Sequence, residues 1–262
     1  MKIVVIGGTG LIGSKLVKKL REQGHEAIAA APSSGVNTVT GEGLAEVLKD
    51  TSVVVDVSNS PSFEEAEAMN FFTTATRNLL RSEKAAGVRH HVALSVVGTD
   101  RLSENRPSDA KEAVRGYFRA KLAQEKLIRE SSIPFSIVHA TQFFEFANSI
   151  ADASSDGRTV RVAPVLIQPM AAVDVAEAVA RIAVGAPVNG MVEVAGPQQF
   201  RLDEFVRQGL RARKDPRTVV ADPGAGYYGM EVDERSLVPS TGARLSQTNF
   251  ETWLNQSAPR AA

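Results

Sequence analysis

Tyr117 and Lys121 stand four residues apart in Tyr117-Phe118-Arg119-Ala120-Lys121. On a helix that spacing puts a phenol and an ammonium on one face, a turn apart. The ammonium can lower the phenol pKa, and the phenol can then protonate a carbonyl oxygen as hydride reaches the carbon. Ser95 closes the apolar run Val92-Ala93-Leu94-Ser95 and offers a hydroxyl that would orient that carbonyl. The spacing alone is common by chance. The alternative leaves Lys121 as a cofactor ligand and Tyr117 as a half-buried packing residue.

A second constellation supplies context. Gly7-Gly8-Thr9-Gly10-Leu11-Ile12-Gly13 follows a short apolar run at the start of the chain and precedes an amphipathic stretch. It reads as GxxGxxG from Gly7 or as GxGxxG from Gly8. Glycines here serve a tight turn, close backbone approach to a pyrophosphate and close helix–strand packing. The helix that follows presents unpaired N–H groups and positive partial charge to the anion. The segment therefore predicts a dinucleotide cofactor, NADP(H) or possibly NAD(H). A carboxylate at the end of the second strand would hold the ribose 2′-hydroxyl of NAD. Ala30-Ala31-Pro32-Ser33-Ser34 has none, and Ser33 and Ser34 can donate to a 2′-phosphate. No arginine follows to clamp that phosphate. Both serines also serve as ordinary turn residues.

These residues need a scaffold, and the chain alternates β-branched runs with helical patterns, as parallel sheets with crossover helices do. The expected strands are 2–6, 26–31, 53–57, 89–96 and 135–140. The expected helices are 11–23, 43–49, 63–86 (with Gly87 as C-cap) and 110–131. Later come helices 173–184 and 202–210 and a strand at 192–195. The Pro-, Gly- and charge-rich segment 215–241 is expected to form surface loops. This is an α/β fold, a Rossmann-like doubly wound parallel sheet, with residues 1–141 as dinucleotide-binding core. Residues 142–262 form a small α/β substrate lobe partly interleaved with it.

Composition narrows the classes. Thirty basic and thirty acidic residues leave no net charge, which argues against a nucleic-acid partner held by a broad basic surface. The absence of cysteine removes disulfides, thiolate metal sites and cysteine nucleophiles. No apolar run has membrane-spanning length and no leader pattern is visible, so a cytoplasmic protein without membrane association is expected. His90 and His91 are adjacent, point to opposite faces of a strand and do not form a metal pair; no metal is expected. The sequence leaves oligomeric state open.

The chain resembles the short-chain dehydrogenase/reductase superfamily, and within it the atypical NmrA-like branch. The marks are the Gly7–Gly13 loop, Asp56-Val57-Ser58-Asn59-Ser60, Gly87-Val88-Arg89-His90, Lys121-Leu122-Ala123-Gln124-Glu125, Ile133-Pro134-Phe135, and Gln168-Pro169 before Val173-Asp174-Val175-Ala176. The resemblance implies cofactor contacts from Ser58 and Asn59 and a small-molecule substrate. It also implies Lys121 on the nicotinamide ribose, with Tyr117 as acid/base and Ser95 as orienter. Tyr117 is absent from many branch members, which favours an oxidoreductase over a non-catalytic cofactor sensor. An epimerase or dehydratase that retains its cofactor is the other alternative. His139 stands where the branch often has arginine, and a core role bonded to backbone is expected for it. Gln142-Phe143-Phe144-Glu145-Phe146 either packs the two halves together or lines an apolar substrate pocket.

The missing carboxylate generates a prediction. NADPH should bind at least as tightly as NADH, and Ser33→Asp should shift preference towards NADH by repelling the 2′-phosphate. Competition titration of the two cofactors measures it.

Overall fold

The computed structural model describes residues 1–104, 112–228 and 230–257. In chain order the first half runs β1 (Lys2–Ile6), α1 (Leu11–Glu22), β2 (Glu26–Ala30), α2 (Leu44–Val47), β3 (Val53–Asp56), α3 (Glu65–Ala86), β4 (His90–Val96), α4 (Thr99–Glu104), α5 (Glu112–Arg129) and β5 (Phe135–Ala140). The second half runs α6 (Ala147–Ala153), β6 (Thr159–Val162), β7 (Leu166–Ile167), α7 (Ala172–Val184), β8 (Gly190–Ala195), β9 (Phe200–Arg201), α8 (Leu202–Ala212), β10 (Thr218–Ala221), β11 (Arg244–Leu245) and α9 (Phe250–Ser257). The start expected for α5 at residues 110–111 lies outside the described residues.

The main sheet has seven strands in the order β11-β8-β5-β4-β3-β1-β2, and every pair in it is parallel. The chain leaves β1 towards β2, then crosses back to β3 on the other side. A crevice opens at such a reversal, outside the carboxyl ends of the strands, and ligands of open α/β sheets bind there. β1 and β3 are buried on both faces, so Ile3, Val4, Val5, Val54 and Val55 form continuous apolar runs rather than alternating ones. α1 and α7 cover one face, and their Leu16, Leu20, Val175 and Val179 share a core with Val5, Val92 and Val138. α3 and α5 lie together over the other face. Gly87, at φ 70°, ends α3 as expected of a glycine C-cap.

A second core gathers Phe144, Ile150, Val160, Ile167, Phe205, Leu210 and Phe250, with Leu102 and Phe118 reaching into it from the first half. β8 and β11 nevertheless extend the main sheet, and α7 packs on α1. Segment 215–241 differs from expectation. Thr218–Ala221 pairs with β6, and Tyr227, Met230 and Leu237 are buried in the second core. Its apolar residues follow no helical or strand period, so their burial depends on which surface the loop crosses. No helix among the described residues is long and apolar enough to cross a membrane.

The two adjacent histidines of β4 do point to opposite faces. His90 Nε2 lies 2.9 Å from Ser136 Oγ, and His91 Nδ1 lies 2.8 Å from Glu83 Oε1 of α3. Burial brings His90 down to about 4, whereas the Glu83 charge and hydrogen bond, working against burial, carry His91 upward. Below pH 6.5 the unfolded chain takes a proton that folded His90 refuses, so its contribution is lost as pH falls from about 6.5 towards about 4. The contribution of His91 has the opposite sign: it is fully present below its unfolded pKa and lost as pH rises through the raised one. His90→Asn should therefore flatten the fall in stability over that acid window, by about one proton of uptake on unfolding. Urea unfolding midpoints measured across the window test this.

Candidate functional site

The glycine loop leaves β1 with Gly7 N–H donating to Ala30 O and Gly10 N–H donating to Gly7 O. α1 starts at Leu11 without a side-chain cap, and its first turn carries no acidic residue. A Cβ on Gly13 would stand 2.1 Å from Gly7 O, so glycine there serves helix–loop contact. A Cβ on Gly10 would meet only Gly7 O, at 3.3 Å. Space within the protein thus demands glycine at Gly13 far more strongly than at Gly10. Exposed Thr9, Gly10 and Leu11, ahead of an uncapped helix start, leave a cradle that a pyrophosphate fits. Ile12 is buried.

After β2, Ser34 Oγ accepts from Ala31 N–H and donates to Ala31 O, closing a short turn. Ser33 is exposed, with no hydroxyl partner among the described residues. At the end of β3, Asp56 Oδ1 accepts from the backbone N–H and the hydroxyl of Ser58, at 2.9 and 2.6 Å. Asn59 Oδ1 accepts from Ser60 N–H at 3.0 Å and from the Tyr117 hydroxyl at 2.9 Å.

Tyr117 reaches Asn59 because α5 lies close against the start of α3. A Cβ on Gly116 would come 2.7 Å from Glu65 Cα, so a larger residue would push the helices apart. The Tyr117 ring sits among Phe63, Phe72 and Phe118, with centroids 5.3 to 5.7 Å away. Burial pushes the phenol well above its ordinary pKa. Lys121 is 2% exposed. Its ammonium donates to Leu94 O at 2.9 Å and to Gln124 Oε1, and lies 4.6 Å from the Phe72 ring centroid. Burial brings it down to about 8 despite the opposing charges of Asp56 and Glu125. Gln124 passes the connection on, its Nε2 donating to Asp56 Oδ2 at 3.0 Å.

Ser95 lies at the end of β4, but its hydroxyl donates to Glu125 Oε1 at 2.6 Å. His139, opposite Ser95 on β5, reaches the same oxygen at 2.9 Å, and Arg129 donates to Oε2 at 2.7 Å. Burial disfavours the Glu125 carboxylate, yet the His139 and Ser95 hydrogen bonds and the Lys121 charge hold it below the usual range. His139 is thus bonded to a side chain rather than to backbone. The arrangement brings Asn59 and Tyr117 into contact and couples Ser95 to Lys121 through Glu125. Asp56, Gln124 and Glu125 carry the network, and motif reading assigned them no role. They stand within the stretches that carry the resemblance, and Gln124 and Glu125 follow Lys121 by three and four residues, on its side of the helix.

In the Gln142–Phe146 segment, Phe143 and Phe146 stack at 5.2 Å, while Phe144 is buried against Phe205, Phe250 and Trp253. Glu145 accepts from Ala172 N–H at the start of α7. No cluster of metal-binding side chains occurs among the described residues.

Residues 7–184 match the model of a family described as NAD(P)H-binding. An isoflavone reductase homologue of Lupinus albus is 28% identical over 54% of this chain and 50% of its own length. The photosystem II assembly factor Ycf39 of Synechocystis is 21% identical over 63% of this chain and 53% of its own. The chain spans about half the length of these curated relatives. A dTDP-4-dehydrorhamnose reductase structure from Clostridium acetobutylicum superposes with TM-score 0.69 at 16% identity, covering 97% of this chain and 98% of that one. A short-chain dehydrogenase/reductase superfamily protein from Agrobacterium tumefaciens with bound NAD gives 0.70 at 18%, covering 98% and 96%. Sheet order, glycine loop and family match agree: the chain belongs to the NAD(P)H-binding family.

Proposed function

We propose that this protein is an NAD(P)H-dependent reductase of the NmrA-like branch, with NADPH favoured, acting on a small carbonyl or quinone-like substrate. The observation that carries the reading is the Tyr117 hydroxyl, held beside Asn59 at the carboxyl end of β3, near the reversal in strand order. The Gly7–Gly13 loop would hold the pyrophosphate, Ser33 and Ser34 the adenosine phosphate, and Ser58, Asn59 and Lys121 the nicotinamide half. When bound there, reduced nicotinamide would supply the hydride that a carbonyl carbon accepts. Tyr117 gives its phenolic proton to the carbonyl oxygen, forming the alcohol O–H, and solvent later restores that proton. Ser95 would orient the carbonyl after turning from Glu125, and residues 142–262, including the Phe143–Phe146 stack, would shape the substrate side. The isoflavone reductase homologue among the relatives supports the class of reaction.

One observation favours a second reading, a cofactor-binding regulator without turnover. The Ser95 hydroxyl and the Lys121 ammonium are both taken up by internal partners.

Two experiments test the proposal. Gly10→Val should abolish NADPH binding with a smaller loss of fold than Gly13→Val, since a Cβ at position 10 would meet Gly7 O at 3.3 Å and one at position 13 would stand 2.1 Å from it. Calorimetry and thermal unfolding separate the two effects. Tyr117→Phe should lower carbonyl reduction about a hundredfold to ten-thousandfold at unchanged NADPH affinity. Lys121→Ala should weaken both. Full activity of Tyr117→Phe would remove the phenol as acid, and a wild type without turnover on a carbonyl and quinone panel would favour the regulator.

A further inference from the structure

The direction of the Asn59–Tyr117 hydrogen bond follows from the chemistry of its neighbours. Ser60 N–H can only donate, so the atom it meets at 3.0 Å must be the carboxamide oxygen. That oxygen can only accept, so at 2.9 Å Tyr117 is the donor. The phenolic proton is thereby committed to Asn59 Oδ1. The other end of the same amide, Nδ2, has no partner among the described residues, and Asn59 is exposed. Ser95, by contrast, is 4% exposed and has spent its proton on Glu125. Asn59 Nδ2 is thus an exposed donor, without a partner among the described residues, on the same amide that holds the phenol.

We propose that Asn59 positions the reaction. Its Oδ1 holds the Tyr117 proton, and its Nδ2–H binds the substrate's carbonyl oxygen when that oxygen displaces Oδ1 from the phenol. As hydride adds to the carbonyl carbon, the Tyr117 O–H bond breaks and its proton forms the alcohol. The Asn59 N–H bonds stay intact and stabilise the charge that gathers on oxygen. This role rests on Tyr117 acting as the acid and differs from the cofactor contact proposed above for Asn59.

The test compares Asn59→Asp and Asn59→Ala with wild type, using NADPH with diacetyl and menadione as carbonyl probes. Aspartate keeps an acceptor for Ser60 N–H but loses the donor and grips the phenolic proton more strongly. Its kcat should fall about a hundredfold at neutral pH, whatever the change in KM for NADPH. A structural role through Ser60 predicts wild-type kcat for the aspartate variant; a pure cofactor role predicts a raised KM for NADPH at unchanged kcat. Either result overturns the proposal. A second measurement needs no turnover. With carbon-13 at Cζ of the three tyrosines, assigned through Tyr117→Phe, the Tyr117 resonance should move towards the phenolate position in Asn59→Asp. It should move the other way in Asn59→Ala, and a resonance indifferent to residue 59 overturns the contact. Asp56, Lys121 and the Glu65–Arg119 pair are common to all variants, so their charges cancel in the comparison. A wild type that reduces neither probe overturns the reductase reading and this role with it, whereas an active wild type with an unaffected Asn59→Asp overturns this role alone.

Discussion

Burying the Lys121 ammonium is the demand around which the polar side of the fold is arranged. An unpaired charge in the interior is costly unless dipoles and counter-charges surround it. Leu94 O and Gln124 Oε1 take its protons, the Phe72 face lies against it, and Asp56 and Glu125 supply opposite charge. Each partner then needs satisfying in turn. Asp56 draws in Ser58 and Gln124, and Glu125 draws in Ser95, His139 and Arg129. One buried cation thereby ties α5 to the ends of β3, β4 and β5, the edge where the crevice lies.

That tie explains why two residues one turn apart have such different surroundings. Lys121 faces the sheet and sits in the charged network. Tyr117 faces α3, sits in an aromatic cage and keeps its polar tip on Asn59. Burial therefore moves the phenol's pKa opposite to what the spacing alone suggests. In the reading proposed above, the pair would serve as an acid with a separate cationic anchor, rather than as a phenol activated by its neighbour.

The glycine loop works by a complementary constraint, since its backbone must stay bare where the protein already leaves room. Gly13 is required by contact with Gly7 O, which a Cβ on Gly10 would meet less closely, at 3.3 Å. An exposed backbone at an uncapped helix start is what an anionic ligand needs. Two cores flank this edge. Phe118 on α5 reaches the second core one residue after Tyr117, so the helix that carries Tyr117 is packed against residues of the second half.

Much of this was legible in the residues themselves. β1 and β5 have the expected bounds, α1 stops one residue short of its expected end, and the glycine loop sits between strand and helix as its motif requires. Local patterns determine these because strand burial, helical period and glycine turns are properties of neighbouring residues. The non-periodic burial of Tyr227, Met230 and Leu237, and the small elements β6, β7 and α9, depend on a surface made by distant parts of the chain. The same limit governs the site. Spacing placed Tyr117 and Lys121 on one helix, but which neighbour each meets is decided by the packing of α5 on α3 and the sheet. Only that packing turned Ser95 towards Glu125, bonded His139 to a carboxylate and brought Asn59, 58 residues away in sequence, to the phenol. Sequence carries the identity and local spacing of donors and acceptors; the directions of their hydrogen bonds exist only once distant segments have packed.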